Sequence, residues 1–290
     1  MKVLITGSLG QVGQSLVQQL NGKANLLAVD RSELDITDEL AVNATVLAFS
    51  PDVIINAAAH TAVDRAEEEV ELSYKINRDG PSYLAQAANK VGAAILHIST
   101  DYVFAGNREG LYCEEDATNP QSVYGQSKLA GEEAVTKHCC RHIILRTSWV
   151  FGEHGNNFVK TMLRLGQERD TLGIVGDQLG GPTYACDIAD ALIVIAEKIC
   201  QGDTVRWGVY HYSGLPNVSW YEFAIKIFEQ AKGKSVVANV PLLSSISTSQ
   251  YPTPAKRPEN SKLNTQKITN EFGIPASDWQ KALQNIHLYA

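Results

Sequence analysis

The sequence contains no apolar run near the roughly 18 residues that a membrane-spanning helix needs, which argues against a membrane partner. It has no basic tract either. Against 25 Lys and Arg stand 32 Asp and Glu, a formal net charge of −7. An acidic chain without a basic stripe is a poor general binder of nucleic acid, although one local site can still hold a phosphorylated small molecule. Cysteine is sparse, at Cys113, Cys139, Cys140, Cys186 and Cys200. The count is odd and the spacing fits neither a zinc cluster nor a thioredoxin-type motif, so reduced thiols in a cytoplasmic setting are expected. The opening residues Met1 to Gly7 lack the longer apolar stretch and the small-residue cleavage site of a signal peptide. No internal repeat or low-complexity linker interrupts the chain. What remains is ordinary core-forming material: 290 residues, 44% hydrophobic and 20% charged. That length buries a full core without disulfides or metal staples, and that composition excludes disorder.

Apolar segments alternate with helical ones through the first half. Lys2 to Ile5, Leu26 to Val29, Val53 to Ile55, Ala93 to Ile98 and His142 to Leu145 read as strands. Gln11 to Leu20 reads as a helix, with Val12, Leu16 and Leu20 every fourth residue, and Tyr74 to Lys90 as another. Near-continuous apolar strands separated by helices predict an α/β fold, a Rossmann-type doubly wound parallel sheet. The second half differs. Ser219-Trp220-Tyr221-Glu222 is a capping box, and Trp220, Phe223, Ala224, Ile227, Phe228 and Ala231 follow it as one buried helix face. Asp187 to Lys198 is predicted helical and Val209 to Tyr212 a strand, while the prolines of Tyr251-Pro252-Thr253-Pro254 exclude regular structure. The expected division is a dinucleotide-binding part over 1–150 and a smaller substrate-binding lobe over 151–290, packed on the first, with about 184–212 returning to the Rossmann core.

Thr6-Gly7-Ser8-Leu9-Gly10-Gln11-Val12-Gly13 spaces three glycines between a strand and an amphipathic helix. Glycine there permits a tight turn and close approach to a pyrophosphate, whose charge rests on the helix N-terminal amides. Gly7, Gly10, Gln11, Val12 and Gly13 are therefore cofactor candidates. The spacing resembles the fingerprint of short-chain dehydrogenase/reductases, above all the extended branch. Asp30 ends the second strand, where a carboxylate accepts from an adenosine ribose and favours NAD. Arg31 beside it has the guanidinium to hold a 2′-phosphate, or else forms a solvated charge pair. NADPH and NADH are both expected to serve. Asp35 and Ile36 are placed beside the adenine, and the small residues around Ala59, His60 and Thr61 let a flat cofactor lie close to the backbone. His60 is given no chemistry.

Tyr124-Gly125-Gln126-Ser127-Lys128 places a phenol and an ammonium one helical turn apart. The pattern alone is uninformative; its position after the glycine-rich half makes it meaningful. An adjacent ammonium is expected to lower the phenol's pKa from its usual value of about 10, so that Tyr124 can protonate a carbonyl as hydride arrives. Lys128 also suits a nicotinamide ribose. Thr100, at the carboxyl end of the strand before, is the third candidate catalytic group.

Longer blocks narrow the resemblance. Ser99-Thr100-Asp101-Tyr102-Val103-Phe104, Arg146 to Gly152, Gly155-Asn156-Asn157-Phe158, Gly180-Gly181-Pro182-Thr183 and Arg257 to Ser261 together resemble the dTDP-4-dehydrorhamnose reductase family, along essentially the whole chain. The resemblance implies NAD(P)H-dependent reduction of the C4 ketone of a thymidine-diphosphate 6-deoxy-4-ketohexose. It implies that Tyr124 donates the proton, Lys128 tunes it and Thr100 orients the ketone. Asp101 and Trp149 fall where the family meets the sugar, with an interdomain packing role competing for Trp149. Arg257 becomes a partner for the diphosphate. Asn156 and Asn157 are substrate candidates, with a turn or N-cap role equally open. Some members are thought to join a homodimer through a carboxylate-bound divalent ion, partly near the first helix. Here Gln14 follows Gly13, and a neutral amide is a weak ligand for a hard cation, so no metal is expected. Competing readings are a dehydratase, disfavoured because Tyr102 rather than a second carboxylate follows Asp101; an epimerase; and a non-catalytic subunit such as the β subunit of methionine adenosyltransferase.

Overall fold

A computed structural model describes residues 1–237 and 239–290. Six parallel strands form the central sheet: β1 (Lys2–Thr6), β2 (Asn25–Val29), β3 (Val53–Asn56), β4 (Ala94–Thr100), β5 (His142–Thr147) and β6 (Gly208–His211). Their order is 2-1-3-4-5-6. The strand order reverses at β1, which pairs with β2 on one side and β3 on the other. Ligands of open α/β sheets bind outside the carboxyl ends of the strands at such a reversal.

Alternation within the strands feeds the two layers of a first core. Val3, Ile5, Val53, Ile55, Leu96 and Leu145 face helices α1 (Gln11–Leu20) and, later in the chain, Ala185–Gln201. Leu4, Ile54, Ile95 and Ile144 face the opposite layer, built from α2 (Glu39–Phe49), α3 (Gly80–Val91) and α4 (Val123–His138). Both faces are covered, which is why these strands read as continuous apolar runs. The doubly wound sheet expected from the pattern is the one found. Helix α2 has no clean apolar period and escapes the pattern reading; its start is fixed instead by Asp38, which accepts from Ala41 N.

The helix expected over 74–90 begins earlier and is not uniform. Val70–Tyr74 runs into a π-helical turn, Lys75–Asp79, before α3. Pro81 has no N–H to give the Asn77 carbonyl, so the regular ladder must loosen there. The freed carbonyl lies against α4, where a Cβ on Gly131 would stand 2.0 Å from Asn77 O.

A second core forms outside the sheet. Helices α5 (Phe158–Glu168) and, after α6 (Ala185–Gln201), α7 (Trp220–Gly233) enclose Phe151, Val159, Phe223, Phe228 and Trp279. The capping box at Ser219 and Glu222 is present in full. Between the two cores run short strand pairs, among them Val150–Phe151 with Thr183–Tyr184. Strand β6 pairs with β5 in the central sheet, so the chain leaves that sheet after β5 and comes back to it.

Candidate functional site

A continuous groove crosses the carboxyl ends of β1, β3, β4 and β5. It has a narrower chamber of about 320 Å³ and a wider one of about 700 Å³, and Gly10, Ala57 and Ala59 line both.

The glycine turn forms the floor between them. Gly7 has φ +75, and a Cβ there would lie 2.6 Å from Ala58 N. Gly10 N donates to Gly7 O at 3.0 Å, and helix α1 starts at Gly10 with no side-chain cap and no acidic residue in its first turn. Its first amides are left to whatever occupies the groove, an arrangement suited to an anion. Gly13 lines neither chamber. A Cβ there would meet Gly7 O at 2.0 Å, so this glycine, read from sequence as a cofactor contact, serves instead to pack α1 onto its own turn.

Asp30, Arg31, Asp35, Ile36 and His60 line the narrow chamber with Gly7. The Asp30 Oδ1 accepts from Ser32 N and Ser32 Oγ, both at 2.6 Å, and these bonds pull its carboxyl below the usual value. Arg31 pairs with Asp35 at 3.6 Å, the guanidinium exposed and the carboxylate half-buried, the charge pair that the sequence left as its second option. His60 is held by Ser73 Oγ at 2.9 Å and Glu69 Oε2 at 3.2 Å. Asn77, which the sequence reading missed, clamps the His60 backbone from both sides and donates to Ser127 Oγ on α4. The π turn that carries Asn77 thus ties the narrow chamber to the helix bearing Tyr124.

The wide chamber gathers Gln11, Val12, Thr61, Thr100, Asp101, Tyr124 and Lys128. From later in the chain it adds Trp149, Asn156, Asn157 and Arg257. Ser122 caps α4 through Gly125 N, which sets the phase that turns Tyr124 and Lys128 to one face. Lys128 Nζ donates to Ile98 O at 2.7 Å, and burial pushes this ammonium down to about 8. The phenol behaves contrary to the sequence expectation. Burial pushes Tyr124 well above its ordinary value; the Thr100 side chain opposes this, and Asp101 and Tyr102 add to it. Removal of the phenol from water governs it, and the Lys128 ammonium is not among the groups that act on it. Tyr124 is therefore a neutral phenol that holds its proton.

Asp101 is 4% exposed, and its Oδ2 has no hydrogen-bond partner. Burial raises its carboxyl to about 6, against hydrogen bonds from Ser261 and Thr100. Tyr102, also missed as a site residue, lays its ring edge-on to Tyr124 at 5.4 Å and accepts from Arg257 Nη1 at 3.3 Å. Arg257 is not free: its Nη2 bonds Asp64 at 2.7 Å. Trp149 has φ +49 and stacks on Trp220 at 3.5 Å, so it packs and lines the groove at once. Asn157 caps α5 through Lys160 N and donates to Gln11 Oε1 at 3.0 Å. The N-cap alternative is thus realised, and the same amide joins the glycine loop to the second core. Thr147 also lines this chamber, with a buried Oγ1 lacking a partner. Its only sequence signal was its place at a strand end. Among the described residues no group of three or more His, Cys, Asp or Glu is arranged to hold a metal ion, and no helix is long and apolar enough to cross a membrane.

A family model described as "RmlD substrate binding domain" matches residues 1–288. The chain belongs to that family. Its relatives include a dTDP-4-dehydrorhamnose reductase from Aggregatibacter actinomycetemcomitans, 56% identical over 100% of this chain and 99% of that one. A dTDP-4-dehydrorhamnose reductase from Clostridium acetobutylicum is similar in structure, with TM-score 0.91 and 40% identity over 99% of this chain and 98% of that one. Another from Bacillus anthracis, solved in complex with NADP, has TM-score 0.90 and 37% identity over 100% and 99%. The family match covers both cores.

The chain's own residues fit a dinucleotide. The uncapped α1 start and the Gly7 turn suit a pyrophosphate, the narrow chamber suits an adenosine, and Lys128 and Tyr124 lie where the other end of the groove begins.

Proposed function

We infer that this protein reduces the C4 ketone of dTDP-4-dehydro-L-rhamnose to dTDP-L-rhamnose with NADPH or NADH, the last step of dTDP-rhamnose synthesis. The observation that carries this reading is the meeting of Thr100, Tyr124 and Lys128 in the wide chamber, one groove away from the glycine turn. Family membership and the reductase relatives support it.

The nicotinamide cofactor, when bound, supplies the hydride. Tyr124, a neutral phenol, gives its proton to the carbonyl oxygen as charge develops there. The Lys128 ammonium stabilises the phenolate left on the enzyme. The Thr100 hydroxyl fixes the carbonyl oxygen before transfer. Asp101 and Trp149 receive the deoxysugar, the indole against its apolar face and the carboxyl toward its hydroxyls. Arg257 meets the diphosphate while Asp64 holds its fork. Gly7, Gly10, Gln11 and Val12 take the cofactor pyrophosphate; Asp30, Arg31, Asp35 and Ile36 take the adenosine; Ala59, His60 and Thr61 line its path. In this reading residues 1–150 with about 184–212 bind the cofactor, and the rest of 151–290 forms most of the sugar side. The partner is a nucleotide sugar, the setting is the cytoplasm, and the protein works as a monomer or homodimer.

The test offers the purified protein dTDP-4-dehydro-L-rhamnose with NADPH or NADH. Stoichiometric cofactor oxidation with dTDP-L-rhamnose as the product by NMR is expected. Conversion without net oxidation overturns the reading in favour of an epimerase, and no turnover favours a binding subunit.

A further inference from the structure

Behind Lys128 lies a buried polar cluster that the proposed chemistry does not use. Glu132 follows Lys128 by one turn on the same face of α4 and is 3% exposed. It accepts from Ser99 Oγ at 2.5 Å, and from Arg146 Nε at 2.9 Å and Nη2 at 2.6 Å. Ser99 on β4 and Arg146 on β5 are register partners, so two adjacent strands hold the carboxylate. Ile98, whose carbonyl takes the Lys128 ammonium, immediately precedes Ser99. One stretch of β4 therefore holds both Lys128 and Glu132.

Stability does not call for such a cluster. A buried ion pair is commonly replaced by apolar side chains at no loss, because desolvation offsets its attraction. Here Arg146 keeps one nitrogen, Nη1, without a partner. The placement has a different consequence: Glu132 shares a face of α4 with the buried Lys128, one turn away, while Arg146 on β5 bonds its carboxylate.

We propose that Glu132 is a positioning residue: held by Arg146 and Ser99, it supplies the buried negative charge that lets Lys128 stand as a cation beneath the groove. The other titratable groups around Lys128 do not supply that charge. His97 on β4 is fully buried and driven toward its neutral form by burial and by Lys128 itself. Tyr124 on α4 is a neutral phenol, and Asp101 in the turn after β4 is not among the charges that act on Lys128. The helical run 70–91 meets α4 at Ser127 through the neutral amide of Asn77. Burial alone drives Lys128 down, and Glu132 is the group that holds it up.

The inference rests on the reading of Lys128 as the partner of Tyr124, and its test separates the two. Lysine carrying a ¹³C label at the ε carbon reports the Lys128 titration by NMR in the free protein, and the pH profile of kcat reports it in turnover. In Glu132→Gln the carboxylate that favours the Lys128 cation is gone, and Arg146 loses its charged partner. Lys128 is expected to titrate at least about one pH unit lower, with the alkaline limb of kcat moving by the same amount, about a tenfold loss at a fixed pH on that limb. KM for the nucleotide sugar is expected to stay within about twofold, since no group touching the sugar changes. Glu132→Gln combined with Arg146→Met leaves no unpaired guanidinium, so it folds where the single variant does not, and the downward shift is expected to persist. Glu132→Asp keeps the charge and restores most of the titration. A Lys128 titration unmoved in the folded double variant overturns the proposal. A titration that moves while the alkaline limb does not upholds it and overturns the catalytic role of Lys128.

Discussion

The two chambers of the groove are built from different material. The narrow one is mostly main chain: a left-handed glycine turn, uncapped helix amides and small residues after β3. Its charged side chains, Asp30, Arg31 and Asp35, reach solvent and are tied to near neighbours. The wide chamber is mostly buried side chain, contributed by β4, α4, the segment after β5 and the C-terminal region, with Tyr124, Lys128 and Asp101 all out of water. The contrast teaches what each part tolerates. A main-chain site is broken by bulk and little affected by surface charge. A side-chain site keeps its shape through many substitutions and is governed by the cost of burying charge.

Four variants press on that contrast. The largest effect belongs to the wide chamber: Tyr124→Phe is expected to lower kcat for ketone reduction by about 10²–10⁴-fold, with cofactor affinity by fluorescence titration unchanged within about twofold. A variant that turns over at the parental rate removes the phenol from the mechanism. Next comes bulk on the main-chain side. Gly13→Ala drives a methyl toward Gly7 O and is expected to cost about 3 kcal/mol in chemical denaturation, with cofactor affinity falling alongside. Unaltered stability there means that α1 shifts freely and the turn is not a rigid cradle.

The third variant uses the cost of buried charge. The Asp101 carboxyl in the folded protein lies at about 6, above its ordinary 3.8. Between those values the folded state binds more protons than the unfolded one, so stability falls as pH rises through this window and stays lowered above it. Asp101→Asn removes that loss. It is expected to be more stable than the parent by about 2 kcal/mol at pH 7, with the gain vanishing toward pH 4, while its activity on the sugar nucleotide falls. Equal denaturation midpoints at pH 7 contradict this. The smallest effect is at the exposed Arg31–Asp35 pair. Arg31→Ala is expected to change stability by less than about 0.5 kcal/mol, yet lower the preference for NADPH over NADH several-fold in kcat/KM, because the guanidinium suits a 2′-phosphate. An unchanged ratio removes Arg31 from cofactor selection.

Legibility in the sequence follows the same division. The strand–glycine turn–helix at the N-terminus was readable because backbone geometry demands glycine at a fixed spacing. The parallel sheet was readable because strands buried on both faces must be apolar throughout. The Ser219 capping box was readable because the hydrogen bonds that make it are local. Helix α2 and the π turn at 75–79 were not, since apolar period is weak in one and the other arises from a carbonyl freed by Pro81 four residues on. Asn77, Tyr102 and Glu132 also escaped. Their partners lie 50, 155 and 14 positions away, at Ser127, Arg257 and Arg146.

The sequence by itself determined which segments are strands of the central sheet, where an anion can sit on main-chain amides, and that Tyr124 and Lys128 share a helical face, because each of these depends on geometry within a few residues. Only the tertiary structure decided that the phenol keeps its proton, that Asp101 is costly to ionise, that Arg257 is held by Asp64 and that Glu132 is held by Ser99 and Arg146. Those properties come from desolvation and from charges brought together by the fold, and neither is encoded in the spacing of residues along the chain.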